Sequence, residues 1–411
     1  MKRRLPLAVV ATILLAACSS QPSDAAGPPS TAYRVMVGSG AFGVGDVEVL
    51  TTADRRVLTL PGGTLSRDSG HLYSTLPAGA TGSLRVVDTV SGGVLRVRSI
   101  SSPAFTGPGI LSAGGRWLVE SYLDAGPPIQ THIALFDTST LAERDVVLDG
   151  VFSLDAINDS ATLLYLLEAV GAGQYRVRDY DLAAGSLDST VIVDKTDASP
   201  VMSGTRVATV ATADGRKVFG LYQRGGRPPF IHALWTDEKL AWCVDLPAGG
   251  AAEAGTGWSL VLDEAHARLY AVNSKGVVSE VDYSNIPQLL RTGTYSPPPV
   301  AAFHLPFIKD AYAKGYETSL GGGASLSTDA GTIFVPDALG IVAVTRVGLE
   351  PRRRLLAGHD VTSLAVSADG RVLFAVEPKA NLLFEVDATS GRLLATFSVP
   401  YPVSILAVAA V

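Results

Sequence analysis

Three histidines follow closely after runs of prolines, and imidazole is the side chain that most often binds metal ions or transfers protons near neutral pH. The stretches are Pro127-Pro-Ile-Gln-Thr-His132, Pro228-Pro-Phe-Ile-His232 and Pro297-Pro-Pro-Val-Ala-Ala-Phe-His304. A shared metal site would require imidazole nitrogens within about 4 Å of one another around the ion. Because we expect the stretches to fall in different structural units, the sequence favours separate structural or surface histidines and predicts no metal site.

Other candidate motifs lack the context that their chemistry requires. Gly38-Ser-Gly40-Ala-Phe-Gly43 matches the G-x-G-x-x-G string of dinucleotide sites, which needs a helix to follow and face the pyrophosphate. Here Asp46-Val-Glu-Val-Leu50 follows with the pattern of a strand, so a hairpin loop is favoured. The chain contains no G-x-S-x-G, H-E-x-x-H or C-x-x-C motif. The sequence therefore predicts no cofactor and no catalytic residue, and it favours a protein that is not an enzyme.

The first 17 residues have the pattern of a targeting signal. Lys2, Arg3 and Arg4 precede an apolar stretch, residues 5–17, which is shorter than the 20 or so residues that span a bilayer. Its end, Leu15-Ala-Ala-Cys18, resembles a bacterial lipobox. That resemblance implies that Cys18 becomes the first mature residue, carries a diacylglycerol thioether and anchors the protein to the extracytoplasmic face of the cell membrane. An ordinary secretory signal followed by a chance cysteine is the alternative.

The signal is followed by a segment with the composition of a flexible linker. Residues 19–32 are mostly Ser, Pro, Gly and Ala, so 18–32 is predicted to be a lipidated cysteine and tether, and 33–411 the folded domain. Removal of residues 1–17 takes away three basic residues and changes the net charge from −6 to −9. Such a surface repels nucleic acid, so no nucleic-acid partner is predicted. The other cysteine, Cys243, is interpreted as a small buried residue.

A repeat runs through the folded region. An aspartate in a turn is followed five positions later by an aromatic residue, in the pairs Asp68 and Tyr73, Asp214 and Phe219, Asp329 and Phe334, and Asp369 and Phe374. The aspartate and nearby glycines favour a hairpin turn, and the aromatic residue falls within the next strand. A second turn follows an apolar-aspartate pair, as at Val87-Asp88, Phe136-Asp137, Tyr180-Asp181, Val281-Asp282 and Val386-Asp387. Each unit thus holds four strands, named a to d.

The spacing of these units predicts an all-β fold, a single β-propeller. The a strands are centred near Leu65, Leu111, Leu154, Val207, Leu260, Leu326 and Leu364. Residues 401–411 supply one more a strand with nothing after it, whereas residues 33–60 supply three strands with no a strand before them. Joined, they would build a composite blade and close the ring without exposed edges. This count favours eight blades, and seven remains possible.

Residues 358–397 resemble a WD40-type or YVTN-type propeller repeat. Gly358-His359, Ser367-Ala-Asp-Gly370, Val386-Asp387 and Ser390-Gly391 occur in the expected order. Val386 stands where the WD40 pattern has the tryptophan of its Trp-Asp pair. The resemblance implies a fold and does not imply a function, because propellers host many activities.

The longest stretch without the repeat pattern is a predicted loop at residues 286–323. Loops of this length are usually functional or disordered, and the aromatic residues here argue against disorder. We expect the loop to cover the ring and supply a recognition surface, with a purely structural plug as the alternative. The predicted binding residues are His132 and His232 together with Phe303, His304, Phe307, Lys309, Tyr312 and Tyr316.

These observations favour a membrane-anchored, non-catalytic platform that binds an envelope protein or an envelope polymer. The alternative is a small-ligand-binding or hydrolytic propeller, of the lactonase or glycan-processing kind, that uses the central channel. Asp155, Glu253 and Asp360 could then contribute carboxylates to the channel, or they could cap turns.

Overall fold

A computed structural model shows that the chain forms an eight-bladed β-propeller, so the predicted all-β fold and its favoured blade count are confirmed. The structure describes residues 31–39, 45–78, 81–101, 109–194, 200–225, 227–247, 257–294 and 323–411. Helical structure in these residues is limited to two three-residue 3-10 turns. Within the same ranges, no helix is long and apolar enough to cross a membrane.

The first four blades use the N-terminal half of the described chain. Their strands are β1 (Tyr33–Ser39), β2 (Val47–Thr51) and β3 (Arg56–Leu60) in blade 1; β4 (Thr64–Leu65), β5 (His71–Ala78), β6 (Thr81–Asp88) and β7 (Val94–Ile100) in blade 2; β8 (Ile110–Leu111), β9 (Trp117–Asp124), β10 (Gln130–Asp137) and β11 (Glu143–Asp149) in blade 3; and β12 (Phe152–Ile157), β13 (Leu163–Gly171), β14 (Gln174–Asp181), β15 (Ser186–Leu187) and β16 (Met202–Ser203) in blade 4. Every strand pair within a blade is antiparallel, and each predicted a strand falls where the sequence placed it.

The remaining blades continue around the ring. Their strands are β17 (Thr205–Ala211), β18 (Lys217–Arg224), β19 (Arg227–Trp235) and β20 (Leu240–Asp245) in blade 5; β21 (Trp258–Asp263), β22 (Arg268–Asn273), β23 (Val277–Asp282) and β24 (Gln288–Thr294) in blade 6; β25 (Ser325–Leu326), β26 (Thr332–Asp337), β27 (Gly340–Thr345) and β28 (Pro351–Leu355) in blade 7; and β29 (Ser363–Val366), β30 (Val372–Glu377), β31 (Leu382–Asp387) and β32 (Leu393–Ser398) in blade 8. Strand β33 (Pro402–Ala410) returns to blade 1 as its a strand.

Ring closure follows the predicted composite arrangement. Strand β33 is antiparallel to β1, with a register that runs from Tyr33 opposite Ala410 to Ser39 opposite Pro402. Strands β1 and β2 are antiparallel neighbours, with Gly38 opposite Val47. The element that follows the Gly38–Gly43 motif is therefore a strand and not the helix that a dinucleotide site requires.

A short chain of hydrogen bonds through a Ser or Thr hydroxyl explains the spacing that repeats in the a–b turns of this chain. In blade 8, the Ser367 hydroxyl donates to the Asp369 carboxylate at 2.6 Å and accepts from the Val372 backbone N–H at 3.0 Å. The same Asp369 oxygen accepts from the backbone N–H of Arg371. Equivalent bonds join Ser66 with Asp68, Thr212 with Asp214, and Ser327 with Asp329. The turn therefore starts strand b at a fixed position and directs the aromatic residue into the core.

The cores lie between blades. The described buried residues form eight hydrophobic clusters, and each cluster joins side chains from two neighbouring blades. In the cluster that closes the ring, Tyr33 of blade 1 packs edge-on against Phe374 of blade 8, with ring centroids 5.5 Å apart. Each apolar sheet is thus covered on both sides by its neighbours, which accounts for strands that do not alternate polar and apolar residues.

The two faces of the ring differ in their connections. Neighbouring strands are antiparallel, so a–b and c–d connections emerge on one face and b–c and d–a connections on the other. All a–b and c–d connections contain four or five residues, and we name that side the short-turn face. Longer connections, up to the 30 residues between Thr294 and Ser325, occur among the b–c and d–a connections on the opposite, long-connection face. Residues 188–201 instead separate β15 from β16, which both pair with β14.

The predicted loop at 286–323 is shorter in the structure at its N-terminal end. Gln288–Thr294 forms β24, the outer strand of blade 6, although the sequence prediction placed it in the loop. The side chains of this outer strand are mostly exposed, so it lacks the apolar pattern that identified inner strands.

Candidate functional site

The two described candidate histidines lie in different blades. His132 is half-buried on β10 of blade 3, and its ring stacks on Tyr122 with centroids 4.6 Å apart. His232 is on β19 of blade 5 and only 2% exposed, and burial lowers the pKa of its imidazole. Among the residues that the structure describes, no three His, Cys, Asp or Glu side chains are grouped to hold a metal ion. The remaining predicted binding residues lie outside the described ranges: Phe303, His304, Phe307, Lys309, Tyr312 and Tyr316.

An apolar surface lies on the long-connection face where blades 3 and 4 meet. Leu123, Ile129, Val151 and Val170 are 46%, 48%, 39% and 37% exposed, and we name these four residues the seam patch. Backbone hydrogen bonds connect its parts, because Gly150 donates to the Ile129 carbonyl at 2.9 Å and the Val151 carbonyl accepts from Ala169 at 2.8 Å. The sequence analysis missed this surface; its signal is apolar residues that continue past the strand ends into connections.

A cavity of about 500 Å³ occupies the centre of the ring. Inner strands of blades 1 to 5 line it, with Leu65, Leu111, Ile157 and Leu406 among its apolar walls. The lining also includes three charged residues, Arg67, Asp155 and Arg206. Among the described lining residues, Asp155 is the one carboxylate and there is no histidine.

Two of these charges form a buried ion pair across neighbouring blades. Arg206 on β17 donates to the Asp155 carboxylate on β12 and, at 2.9 Å, to the Leu154 backbone carbonyl. Their side chains are 7% and 4% exposed, so the ion pair is shielded from solvent. The sequence analysis considered Asp155 a channel acid or a turn cap, and the structure places it on a strand rather than in a turn. Arg206 was missed; its signal is an arginine within a short inner strand.

Of the other two acids considered for the channel, Asp360 does not line the cavity. Asp360 lies on the connection before β29, where the Lys379 ammonium donates to its carboxylate at 2.6 Å. This ion pair is partly exposed and sits outside the cavity lining. Glu253 lies outside the described residues.

Comparison with known proteins identifies the fold. No family model matches the chain, and no curated protein matches it by sequence. Among solved structures, apo AztD from Citrobacter koseri has a TM-score of 0.53 at 10% identity, covering 92% of this chain and 98% of that one. Dihydro-heme d1 dehydrogenase NirN in complex with DHE has a TM-score of 0.50 at 14% identity, covering 91% and 74%. Sqt1 from Saccharomyces cerevisiae has a TM-score of 0.50 at 11% identity, covering 82% and 88%.

Identities this low are evidence of shared architecture alone. The chain is therefore a β-propeller protein, and the predicted WD40-like repeat architecture is confirmed at the level of fold. The activities of these similar structures are not transferred to this chain, because one propeller scaffold hosts unrelated functions.

Proposed function

We propose that the protein is a lipid-anchored extracytoplasmic propeller that binds an envelope protein on its long-connection face and has no catalytic role. The observation that carries this proposal is that the b–c and d–a connections on one face reach up to 30 residues, whereas every a–b and c–d connection on the other face has four or five. Long connections on a rigid scaffold are the usual location of recognition surfaces, because they vary without disturbing the core. The signal and lipobox-like sequence at residues 1–18 support the extracytoplasmic location and the anchor.

The seam patch is the proposed centre of docking. Its four apolar residues are close together and between 37% and 48% exposed, and exposed apolar patches of this kind favour contact with a protein surface. His132 is on blade 3, one of the two blades that carry the seam patch. Its ring stacks on that of Tyr122 and adds an aromatic pair near the end of this blade. An envelope polymer is the competing occupant, which the following experiment distinguishes.

A photo-reactive amino acid at position 129, introduced in intact cells, is expected to cross-link one protein reproducibly. The same amino acid at position 347 is the matched control, because Val347 is 76% exposed on the short-turn face. Leu123→Asp combined with Val170→Asp should reduce the cross-link at least about tenfold with Tm nearly unchanged, since charge in the patch opposes apolar contact. Equal cross-linking from both positions, or capture of a polymer in place of a protein, would contradict the proposal.

Two further variants test whether the loop contributes to docking and whether Cys18 carries the anchor. Deletion of residues 297–318 should weaken the same cross-link while leaving the thermal transition of the ring in place. Cys18→Ser should release the folded protein from the membrane fraction. Retention of that variant in washed membranes would remove the anchor from the proposal without affecting the docking result.

A small-ligand function in the central cavity is the second candidate. Its volume of about 500 Å³ lies within the range of small-molecule sites, and its charged residues, two arginines and one aspartate, leave a net positive lining. Such a lining favours a small anion with an apolar portion. We expect the cavity to accommodate a sugar acid or similar carboxylate if this function is correct.

Thermal unfolding with millimolar gluconate or glucuronate tests the second candidate. Binding to the folded state should raise Tm by about 2 °C or more, because a ligand that prefers the folded state stabilises it. Thr209→Trp, which fills the cavity from β17, should remove this rise. An unchanged Tm in the original protein with every carboxylate tried would count against a ligand in the cavity.

A further inference from the structure

Three side chains with soft or borderline metal-binding atoms meet between blades 4 and 5. The Cys243 Sγ lies 3.9 Å from the Met202 Sδ and 3.9 Å from the His232 Nδ1. Met202 is on β16, His232 on β19 and Cys243 on β20. The last two residues are directly opposite each other in the β19–β20 ladder, so the backbone register holds their side chains together.

The separations from the Cys243 sulfur to the other two atoms match the spacing of ligands in a three-coordinate site. Metal–sulfur and metal–nitrogen bonds of about 2.0 to 2.3 Å, arranged at trigonal angles, separate the ligand atoms by roughly 3.5 to 4 Å. Thiolate and thioether ligands select Cu(I) over harder ions, and imidazole also binds copper. Zinc prefers His, Cys, Asp and Glu as ligands, and this site contains two of them, His232 and Cys243. Among the described residues, no three side chains of these types are grouped to hold a metal ion.

His232 supplies a second, independent observation. Its side chain is 2% exposed, and its Nε2 is buried with no hydrogen-bond partner. Its other nitrogen, Nδ1, faces the weakly hydrogen-bonding thiol of Cys243. A buried imidazole normally makes hydrogen bonds through its nitrogens, whereas the neighbour of Nδ1 here is a thiol, which is a weak hydrogen-bonding group. A metal bond at Nδ1 would use the lone pair of the neutral ring.

The surroundings favour a cation and exclude water. The charged groups around His232 are the carboxylates of Asp155 and Asp194 and the guanidinium of Arg206, so two negative charges face one positive charge. Tyr175, Tyr222 and Phe230 form an aromatic wall, with successive ring centroids 5.1 Å apart. Met202 and Cys243 are partly exposed, which leaves a route for an ion to reach the site.

We propose that Met202, His232 and Cys243 form a binding site for Cu(I). Binding replaces the Cys243 S–H bond with a sulfur–copper bond and releases the proton to solvent, while copper stays in the +1 state. The site is separate from the seam patch and the central cavity, so it does not depend on the proposed partner or ligand.

Anaerobic Cu(I) titration against a chromophoric Cu(I) chelator tests the site in the full chain carrying Cys18→Ser, which leaves Cys243 as its only thiol. One equivalent should bind, and X-ray absorption should show copper–sulfur bonds of about 2.2 to 2.3 Å. Equimolar Cu(I) should also protect Cys243 from a thiol reagent. Cys243→Ser should weaken binding by about 100-fold and Met202→Leu by about tenfold.

Met36→Leu is the matched control, because Met36 is a buried methionine of blade 1 and should leave the affinity unchanged. Circular dichroism of each variant separates loss of a ligand from loss of fold, and Met202→Leu keeps the apolar volume of the side chain. Binding well below one equivalent, equal affinity in Cys243→Ser, or a preference for Zn²⁺ over Cu(I) would overturn the assignment.

Discussion

Removal of residues 402–411 is expected to abolish the cooperative unfolding transition of the ring near its original temperature. These residues form β33, the inner strand of blade 1, which pairs the C-terminal end of the chain with β1. Ile405 is 3% exposed within a cluster that includes Val35, Phe374 and Phe397. Truncation would expose these side chains and leave the inner edge of β1 unpaired, a loss on the order of 5 kcal/mol or more, comparable with the whole stability of many domains.

Thermal and urea unfolding followed by circular dichroism measures this effect, with limited proteolysis as a second readout. Removal of Val411 alone is the control, because its side chain is 71% exposed and lies beyond β33. A synthetic peptide of residues 402–411 added to the truncated chain should restore part of the transition by pairing with β1. A truncated chain with the original Tm and protease resistance would contradict the view that β33 holds the ring closed.

Replacement of Glu120 by glutamine is expected to flatten the pH dependence of stability. Glu120 lies on β9 and is 2% exposed, and burial raises the pKa of its carboxyl to about 8 despite a hydrogen bond with Thr75. One of its oxygens, Oε2, is buried without a hydrogen-bond partner in the described structure. At neutral pH the folded protein therefore holds this carboxyl in its protonated form, whereas the unfolded chain ionises it.

The direction of the pH effect follows from that difference. The folded pKa is above the ordinary value of 4.5, so the folded state binds more protons between pH 4.5 and about 8. Stability from this group is complete below pH 4.5 and is lost as pH rises toward 8, by on the order of 3 kcal/mol at neutral pH. Glu120→Gln keeps the shape without the ionisation, so the variant should be more stable than the original protein at pH 8.

Urea unfolding at pH 5, 6, 7 and 8 measures the difference between the two proteins. The difference should grow with pH for Glu120→Gln and stay constant for Glu350→Gln, because Glu350 is exposed. Comparison at each pH cancels the contribution of every other titrating group. Parallel curves for Glu120→Gln and the original protein would show that this carboxyl is ionised in the fold.

The placement of strands was predictable because the decisive interactions are local. The hydrogen bonds of the Ser367 hydroxyl with Asp369 and Val372 span at most five residues, so the turn forms wherever those residue types recur at that spacing. The outer strand β24 escaped prediction, since its exposed side chains carry no apolar pattern. The composite blade was predictable for a different reason. The strands at the two ends of the chain would each have an unpaired edge unless they paired with one another.

The candidate sites were less accessible to sequence reasoning. The histidines were identified from neighbouring prolines. The contact on which the proposed copper site depends is between His232 and Cys243, and the sequence analysis interpreted Cys243 as a small buried residue. The seam patch was missed because exposed apolar residues cannot be distinguished from buried ones before the blades are assembled. Asp155 was noticed, but its partner Arg206 is 51 positions away.

The amino-acid sequence by itself determined the turns and the order of the inner strands and favoured eight blades over seven, because these features depend on hydrogen bonds within a few residues and on apolar repeats along the chain. Only the tertiary structure decided which side chains meet between blades. Met202 and Cys243 are 41 positions apart, and their contact depends on how blade 4 packs against blade 5 within a closed ring. That packing is set by the combined shape of all the sheets, so no local pattern reveals it.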